Sequence, residues 1–457
     1  MELSIDPNRA HRLAKMYMDT GEARSYKEAQ RILSGYRLAI VVGSSVAESP
    51  TLQASLLTAI NTGRRCFLGG VEVAGLLDVP LRLAWPRSGT LADAVTYLEG
   101  KWVEAVTPQI PRILVGNIPK QDQIGSFCIR TTCDGWKGGV VPLDDAQSPP
   151  LTAEFTPAGV LSGAIAVSEA FQHVRGGSAY AGRRALGLSL WEPGQDGSWL
   201  DCQAGPALRF LPAKAWLIGL GHLGQAFLWT LGFLPYTHPE EVDLVLQDID
   251  ELSEANDSTS LLTNMPMVGS KKTRAMASWC DAMGFRSRIV ERAFANDFHL
   301  ASDEPHVGIC GVDNQQARAA LEDVGFDRIF EAGLGAGADD FLCFQTHSFP
   351  ATRKARDIWK AMNQTSHQVD LTNLPPAYQS NDPYSVEACG LIQLAGRSVG
   401  SAFVGAITST LVLADLLRMT MGETQYEFID GDLRTGNIKA IPNHHLSTIN
   451  NPGFTMV

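Results

Sequence analysis

Three glycines that follow a short buried strand form the first group of residues suited to chemistry. The apolar run at 215–218 ends at Gly219, Gly221 and Gly224, and an apolar helical pattern follows. Glycines let backbone N–H groups approach a ligand closely, and the N-terminus of a helix favours negative charge. The combination predicts a phosphate cradle, and therefore a nucleotide site, without specifying which nucleotide binds.

Polar residues that suit phosphate and metal chemistry follow the glycines. Asp248 and Asp250 stand where the next strand ends, and Asn256, Lys272 and Asp313 come later. In a dinucleotide-binding dehydrogenase one acidic residue holds the ribose hydroxyls, and Asp248 fits that role at a somewhat longer spacing. Hydride transfer does not need the later residues, whereas attack on the α-phosphate of ATP needs cations and a metal ligand. The set favours ATP chemistry over a dehydrogenase.

This order resembles the adenylation domain of the ThiF/MoeB family, which includes the ubiquitin-activating enzymes, over residues 210–345. The resemblance implies ATP and Mg²⁺ as cofactors and a small protein whose C-terminal carboxylate attacks the α-phosphate. It implies that Asp248 holds the ribose, that Asn256 and Lys272 contact phosphates, and that Asp313 binds Mg²⁺ and serves catalysis. The residues expected to bind the nucleotide are Gly219, Gly221, Gly224, Asp248, Asp250, Asn256 and Lys272.

One position departs from the family pattern. Family members carry an Arg three residues after the Asn, and this chain has Thr259 there. The resemblance therefore predicts that another arginine completes the phosphate site, and Arg274 or the pair Arg64 and Arg65 are the candidates. The alternative is a non-catalytic scaffold that binds nucleotide or a partner without turnover.

A cysteine near the C-terminus is the second candidate for chemistry. Cys389 follows a polar stretch at 349–386, expected to be an exposed excursion, and precedes an apolar helix predicted at 401–416. In some family members a cysteine at this place takes the activated protein as a thioester, and a helix N-terminus lowers the pKa of a thiol. The resemblance implies transfer from Cys389 to a conjugating enzyme, as in bacterial ubiquitin-like conjugation operons used against phage. Adenylation that feeds a sulfur carrier without an enzyme thioester stays open.

Composition limits the class of protein. The chain has 457 residues, 45% of them hydrophobic, which is enough for two or three domains with large cores. Its net charge of −12 argues against a nucleic-acid partner, because such binding needs clustered Lys and Arg. The eight cysteines include no CxxC pair, so no zinc site is expected. With no visible signal peptide or membrane span, we expect a cytoplasmic protein.

The elements that must position these residues predict two related halves. The helix predicted at 159–174 resembles the one at 401–416, and aligning Gly163 with Gly405 superposes their small residues. Only the second half has the glycine turn, since the loop after a strand predicted at 36–43 carries a single glycine. The first half is expected to be degenerate, and the chain to act as a monomeric pseudo-dimer.

The expected fold class is α/β, with two Rossmann-like adenylation-type halves, the second built on a mostly parallel sheet flanked by helices. The expected domains are an N-terminal helical cap at 1–40, an inactive adenylation-like domain at 41–208, an active one at 209–348, a crossover loop with the candidate cysteine at 349–400, and a helix and hairpin that complete the active domain at 401–457. The other predicted elements are a helix at 49–60 with Ser49 as its cap, strands at 65–68, 112–115, 128–132 and 307–312, and a hairpin around 430–436.

Overall fold

The computed structural model describes residues 6–119, 127–143, 150–365, 374–379, 386–445 and 453–457. The helices are α1 (Arg12–Asp19), α2 (Tyr26–Ser34), α3 (Pro50–Gly63), α4 (Leu91–Tyr97), α5 (Thr156–Arg175), α6 (His222–Gly232), α7 (Glu254–Asp257), α8 (Lys272–Ala282), α9 (Gln315–Ala319), α10 (Ala355–Thr365), α11 (Val386–Ala395) and α12 (Ala402–Thr420). The strands are β1 (Leu38–Val42), β2 (Val71–Gly75), β3 (Lys101–Trp102), β4 (Arg112–Val115), β5 (Cys128–Asp134), β6 (Lys137–Pro142), β7 (Leu186–Ser189), β8 (Phe210–Pro212), β9 (Lys214–Ile218), β10 (Asp243–Gln247), β11 (Arg286–Val290), β12 (Val307–Cys310), β13 (Arg328–Leu334), β14 (Cys343–Phe349), β15 (Tyr426–Asp432), β16 (Asn437–Pro442) and β17 (Phe454–Met456).

The two large sheets share one topology. The first has the strand order β3-β2-β1-β4-β5-β6-β7, and the second has β11-β10-β9-β12-β13-β14-β15-β16. In each sheet the five strands that come first in this order are parallel and the later strands pair antiparallel. The predicted fold class is confirmed. Because the parallel strands end at one edge, the segments after β9, β10 and β12 meet there.

The long helix of each half packs on the first helix of that half through a glycine. A Cβ at Gly159 of α5 would lie 2.1 Å from the carbonyl oxygen of Thr51 in α3, and a Cβ at Gly405 of α12 would lie 2.4 Å from Nε2 of His222 in α6. Each of these glycines lies four residues after the N-cap of its helix. The predicted alignment of Gly163 with Gly405 is therefore wrong by one helical turn, although the two helices do correspond.

Helix α12 lies at the centre of the molecule. Among the described helices it is the one long and apolar enough to cross a membrane, and it is buried inside the protein from residue 402 to residue 419. It contacts α5 of the first half and α6 of the second, and Oγ1 of Thr230 lies 2.6 Å from Oγ of Ser409. Its apolar composition thus serves the core between the halves.

Two local predictions are wrong. The segment at 65–68 is a turn after α3, and the strand of this region is β2, where Gly70 with a φ of +110° ends the turn and β-branched valines begin the strand. The stretch at 349–386 is not an exposed excursion where it is described, because it contains helix α10 and the buried side chains of Trp359 and Tyr378. Its residues 366–373 and 380–385 lie outside the described residues.

Candidate active site

The turn between β9 and α6 leaves the N-terminus of the helix open. Gly219 has a φ of +84°, and a Cβ at Gly224 would lie 2.0 Å from the carbonyl oxygen of Gly219. At Gly221, in contrast, a Cβ would meet nothing within 4 Å. The backbone N–H groups of His222, Leu223 and Gly224 make no hydrogen bond within the described residues, and Gly221 provides no side-chain cap. Three orphan donors beside open space fit a phosphate group.

Asp248 fixes this turn at the end of β10. Its Oδ2 accepts the N–H of Leu220 at 2.7 Å and its Oδ1 accepts the N–H of Asp250 at 2.9 Å. Nζ of Lys272 lies 2.8 Å from Oδ2 of Asp250 and 3.6 Å from Oδ2 of Asp248. The structure thus brings three predicted nucleotide-binding side chains together beside the glycine turn.

The segment after β12 places Asp313 at the same edge. A Cβ at Gly219 would lie 2.7 Å from Cγ1 of Val312, so the glycine turn contacts this segment directly, and Asp313 next to it is exposed. No cluster of three or more His, Cys, Asp or Glu side chains in the described part of the chain is placed to hold a metal. Mg²⁺ in nucleotide sites is usually held by one or two carboxylates together with phosphate oxygens and water. A single carboxylate at Asp313 therefore fits Mg²⁺ bound mainly through a nucleotide.

The residues after Asp313 hold its loop in place. Oδ1 of Asn314 accepts the backbone N–H groups two and three residues later, at 2.8 and 3.2 Å, and so caps α9. Nε of Arg318 donates to the carbonyl oxygen of Val312 at 2.7 Å and also lies 3.1 Å from Oε1 of Glu331, which is fully buried. Because the N–H of this nitrogen points to Val312, the contact with Glu331 is an ion pair. In the Asp-Asn…Ala-Arg motif, Asp313 thus provides an exposed carboxylate, and Asn314 and Arg318 hold the loop that carries it.

We expect Arg318→Ala to lower the free energy of unfolding by about 3 kcal/mol, because the buried Glu331 loses its arginine partner and retains the contact with Nδ1 of His347 at 3.0 Å. The measurement is the midpoint of urea denaturation followed by circular dichroism. Arg356→Ala is the matched control, since it removes an exposed ion pair with Asp323 at 2.7 Å and should cost less than about 1 kcal/mol. Similar losses in the two variants would contradict the supporting role of Arg318.

Asn256 lies in the short helix α7. Its Oδ1 accepts the N–H and the hydroxyl of Ser253 at 2.8 and 3.0 Å. Its amide nitrogen makes no hydrogen bond among the described residues, so the NH₂ group is available as a donor to a phosphate oxygen.

The three arginines predicted to compensate for Thr259 are all engaged elsewhere. Arg64 forms an ion pair with Asp257 at 2.7 Å, and Arg65 donates to two carbonyl oxygens of the segment at 260–263, each at 2.9 Å. Arg274 pairs with a glutamate at 2.9 Å on the surface. Arg64 and Arg65 therefore hold the segment that contains Thr259, and their guanidinium groups are committed to the protein.

Arg12, the first residue of α1, belongs to no sequence motif and yet lies at this site. A Cβ built at Gly400 would lie 2.9 Å from Cγ2 of Thr259, 3.6 Å from Cβ of Arg12 and 3.9 Å from Nδ1 of His222. Nη1 of Arg12 is buried and makes no hydrogen bond within the described part of the protein. The N-terminal helix thus places Arg12 next to the segment that contains Thr259, where the family arginine is absent.

The charges around Arg12 connect it with the nucleotide edge. Burial lowers the pKa of Arg12, the neighbouring Arg397 lowers it further, and Asp313 raises it, so both charged groups act on it directly. Burial also lowers the pKa of His222 to about 4, so its imidazole is neutral at pH 7. Arginine and lysine residues therefore provide the positive charge at this edge.

Helix α1 is anchored at both ends. At its start the N–H of Arg12 donates to Oγ of Ser258 at 3.2 Å. At its end Asp19 accepts the hydroxyl of the buried Tyr378 at 2.5 Å and the ammonium of Lys15 at 2.6 Å. These contacts hold α1 between the segment that contains Thr259 and the stretch before α11, and they thereby hold Arg12 in place.

The predicted acceptor Cys389 lies in the first turn of α11, and its side chain lies outside the described residues. Two other cysteines provide a contrast. Cys310 is buried in β12, where burial raises the pKa of its thiol to about 12, and burial also raises the pKa of Cys343 at the start of β14. Neither thiol is activated as a nucleophile.

Comparison with known proteins relates the whole chain to bacterial E1-like proteins. Residues 37–190 match the family model described as the BilD N-terminal domain, and residues 211–423 match that of the BilD C-terminal domain. The bacterial E1-like protein BilD of Collimonas sp. (strain OK412) is 41% identical over 454 residues, which cover 97% of each chain. Among solved structures, E. coli MccB with ATP is 11% identical with a TM-score of 0.33 over 53% of this chain and 66% of that chain. PaaA is 12% identical with a TM-score of 0.33 over 51% of this chain and 65% of that chain.

Proposed function

Because this chain belongs to the BilD family of bacterial E1-like proteins, we propose that it uses ATP and Mg²⁺ to adenylate the C-terminus of a ubiquitin-like protein. The observation that carries this proposal is the convergence of the open α6 N-terminus, Lys272 and Asp313 on one edge of the second sheet. These groups suit a nucleotide triphosphate, because they combine N–H donors, a cation and a metal ligand.

Adenylation demands positioning and charge neutralisation from the protein. ATP supplies the α-phosphorus that the carboxylate oxygen attacks, and the bond to pyrophosphate breaks. In our proposal the amides of α6 and Asn256 donate to phosphate oxygens, Lys272 and Arg12 neutralise their charge, and Asp313 holds Mg²⁺. Asp248 keeps the ribose-binding role that the resemblance implies, in addition to holding the glycine turn.

The second step in the proposal is transfer to Cys389. Its thiolate attacks the carbonyl carbon of the adenylated C-terminus, the carbon–oxygen bond to AMP breaks, and a thioester forms that passes to a conjugating enzyme. Its position in the first turn of α11 supports this role, because the N-terminus of a helix stabilises a thiolate.

We propose that the protein works in the cytoplasm as a monomeric pseudo-dimer, since its two halves already provide the paired sheets. A ubiquitin-like conjugation system of the antiphage kind is the proposed setting, with no nucleic-acid or membrane partner.

ATP–pyrophosphate exchange with a ubiquitin-like protein as substrate tests the proposal, and Asp313→Ala should reduce the exchange rate by at least about 100-fold. The reason is that Mg²⁺ would lose the carboxylate that we propose as its protein ligand. Asp323→Ala is the control, because this aspartate forms a surface ion pair with Arg356 and should leave exchange unchanged. Full exchange in Asp313→Ala, or no exchange by the wild type with any ubiquitin-like substrate, would contradict the proposal.

A further inference from the structure

The N-terminus of α6 in the second half is open, whereas that of the corresponding helix α3 in the first half is closed. In α6 the first three backbone N–H groups have no hydrogen-bond partner within the described residues. In α3 all of the first three positions are accounted for. Pro50 has no N–H, Thr51 donates to Oε2 of Glu154 at 2.9 Å, and Leu52 donates to Oγ of Ser49 at 3.1 Å.

Glu154 and Gly400 occupy equivalent positions. Each directly precedes the N-cap of the long helix of its half, which is Phe155 for α5 and Ser401 for α12. From this position the side chain of Glu154 reaches the first turn of α3. A Cβ at Gly400 would lie 3.9 Å from Nδ1 of His222, the first residue of α6, so a side chain there would start beside the first turn of α6.

We infer that Glu154 closes the helix N-terminus of the first half to a phosphate, and that the lack of a side chain at Gly400 keeps that of the second half open to one. A carboxylate and a phosphate satisfy the same N–H groups and the same helix dipole, so Glu154 acts as a built-in anion where the second half leaves room for phosphate. Gly400 has no side chain and therefore offers no such built-in anion to α6, where the open space lies beside Gly221. The part of the inference that concerns Gly400 rests on the proposed ATP site, whereas the role of Glu154 is independent of it.

The first experiment measures the thermal unfolding of Glu154→Ala in the full chain with and without sulfate. Loss of the carboxylate leaves the Thr51 N–H unpaired, so we expect Tm to fall by about 2–4 °C. Sulfate should raise the Tm of Glu154→Ala by more than it raises the Tm of Glu104→Ala. The second variant is the control, since it removes an exposed glutamate elsewhere in the same half. An unchanged Tm, or equal responses of the two variants to sulfate, would overturn the role of Glu154.

The second experiment compares Gly400→Glu with Gly400→Gln, both in a Thr259→Ser parent. The parent removes the methyl group that lies 2.9 Å from a Cβ at position 400. Binding of a fluorescent ATP analogue should weaken at least about tenfold more in the Glu variant, because only its charge competes with phosphate. Equal weakening would mean that volume alone matters and would overturn the inference for Gly400. Absence of binding by the wild type itself would instead overturn the proposed ATP site, and the sulfate experiment would still decide the role of Glu154.

Discussion

Cys389→Ala should abolish the thiol-sensitive adduct between this protein and its ubiquitin-like substrate while ATP–pyrophosphate exchange continues. The thioester needs a sulfur nucleophile, whereas adenylation uses the edge of the second sheet, where the predicted nucleotide-binding residues meet. The measurement is non-reducing gel electrophoresis after incubation with ATP, with and without a thiol reductant. Exchange measured on the same samples separates the two steps.

Cys343→Ala is the matched control for this experiment. Burial raises the pKa of the Cys343 thiol, which is half-buried at the start of β14. Its removal should leave the adduct intact. An adduct that persists in Cys389→Ala would eliminate the thioester at this residue. Exchange by a wild type that never forms an adduct would favour sulfur-carrier chemistry.

Local chain patterns predicted the elements that follow strong backbone rules. The helix α3 begins at Pro50 after the Ser49 cap, and the hairpin of β15 and β16 lies where its turn residues indicate. The strand expected at 65–68 failed, because an apolar run beside a helix end does not distinguish a turn from a strand. One pair of helices was enough to predict the repeat. A pattern of small residues does not determine the register between two helices, so the predicted glycine alignment is wrong by one helical turn.

The nucleotide edge was predictable where its residues directly follow strands, since parallel strands end at one edge. Asp248 and Asp250 lie at this edge for that reason, and Lys272 reaches them from the first position of α8. Arg12 was not predictable, because it is more than 200 residues from the glycine turn in the sequence and belongs to no motif. The docking of α1, including its contact with Ser258, brings it there. In the Asp-Asn…Ala-Arg motif, Asp313 is the candidate metal ligand, whereas Asn314 and Arg318 hold its loop. This difference depends on hydrogen bonds that the spacing of the residues does not reveal.

Arg12→Ala should reduce the rate of ATP–pyrophosphate exchange by about 100- to 1000-fold, the range typical of removing one hydrogen-bond donor from a developing negative charge. Its Nη1 is buried without a hydrogen-bond partner in the described part of the chain, and its Cβ lies beside Thr259 and Gly400. If Arg12 replaces the arginine absent at position 259, the double variant Arg12→Ala/Thr259→Arg should recover part of the lost rate. A merely structural role for Arg12 would not produce that rescue.

Arg9→Ala is the control for the N-terminal segment. Arg9 forms an ion pair with Glu254 at 2.9 Å and its side chain is 64% exposed, so its loss tests whether weaker docking of this segment alone lowers exchange. We expect Arg9→Ala to retain nearly the full rate, because exposed ion pairs contribute little to stability. Equal losses of the exchange rate in Arg9→Ala and Arg12→Ala, with no recovery in the double variant, would mean that α1 has only a structural role. Recovery by an arginine at position 259 would instead show that α1 and the segment after α7 are two alternative sources of the same positive charge.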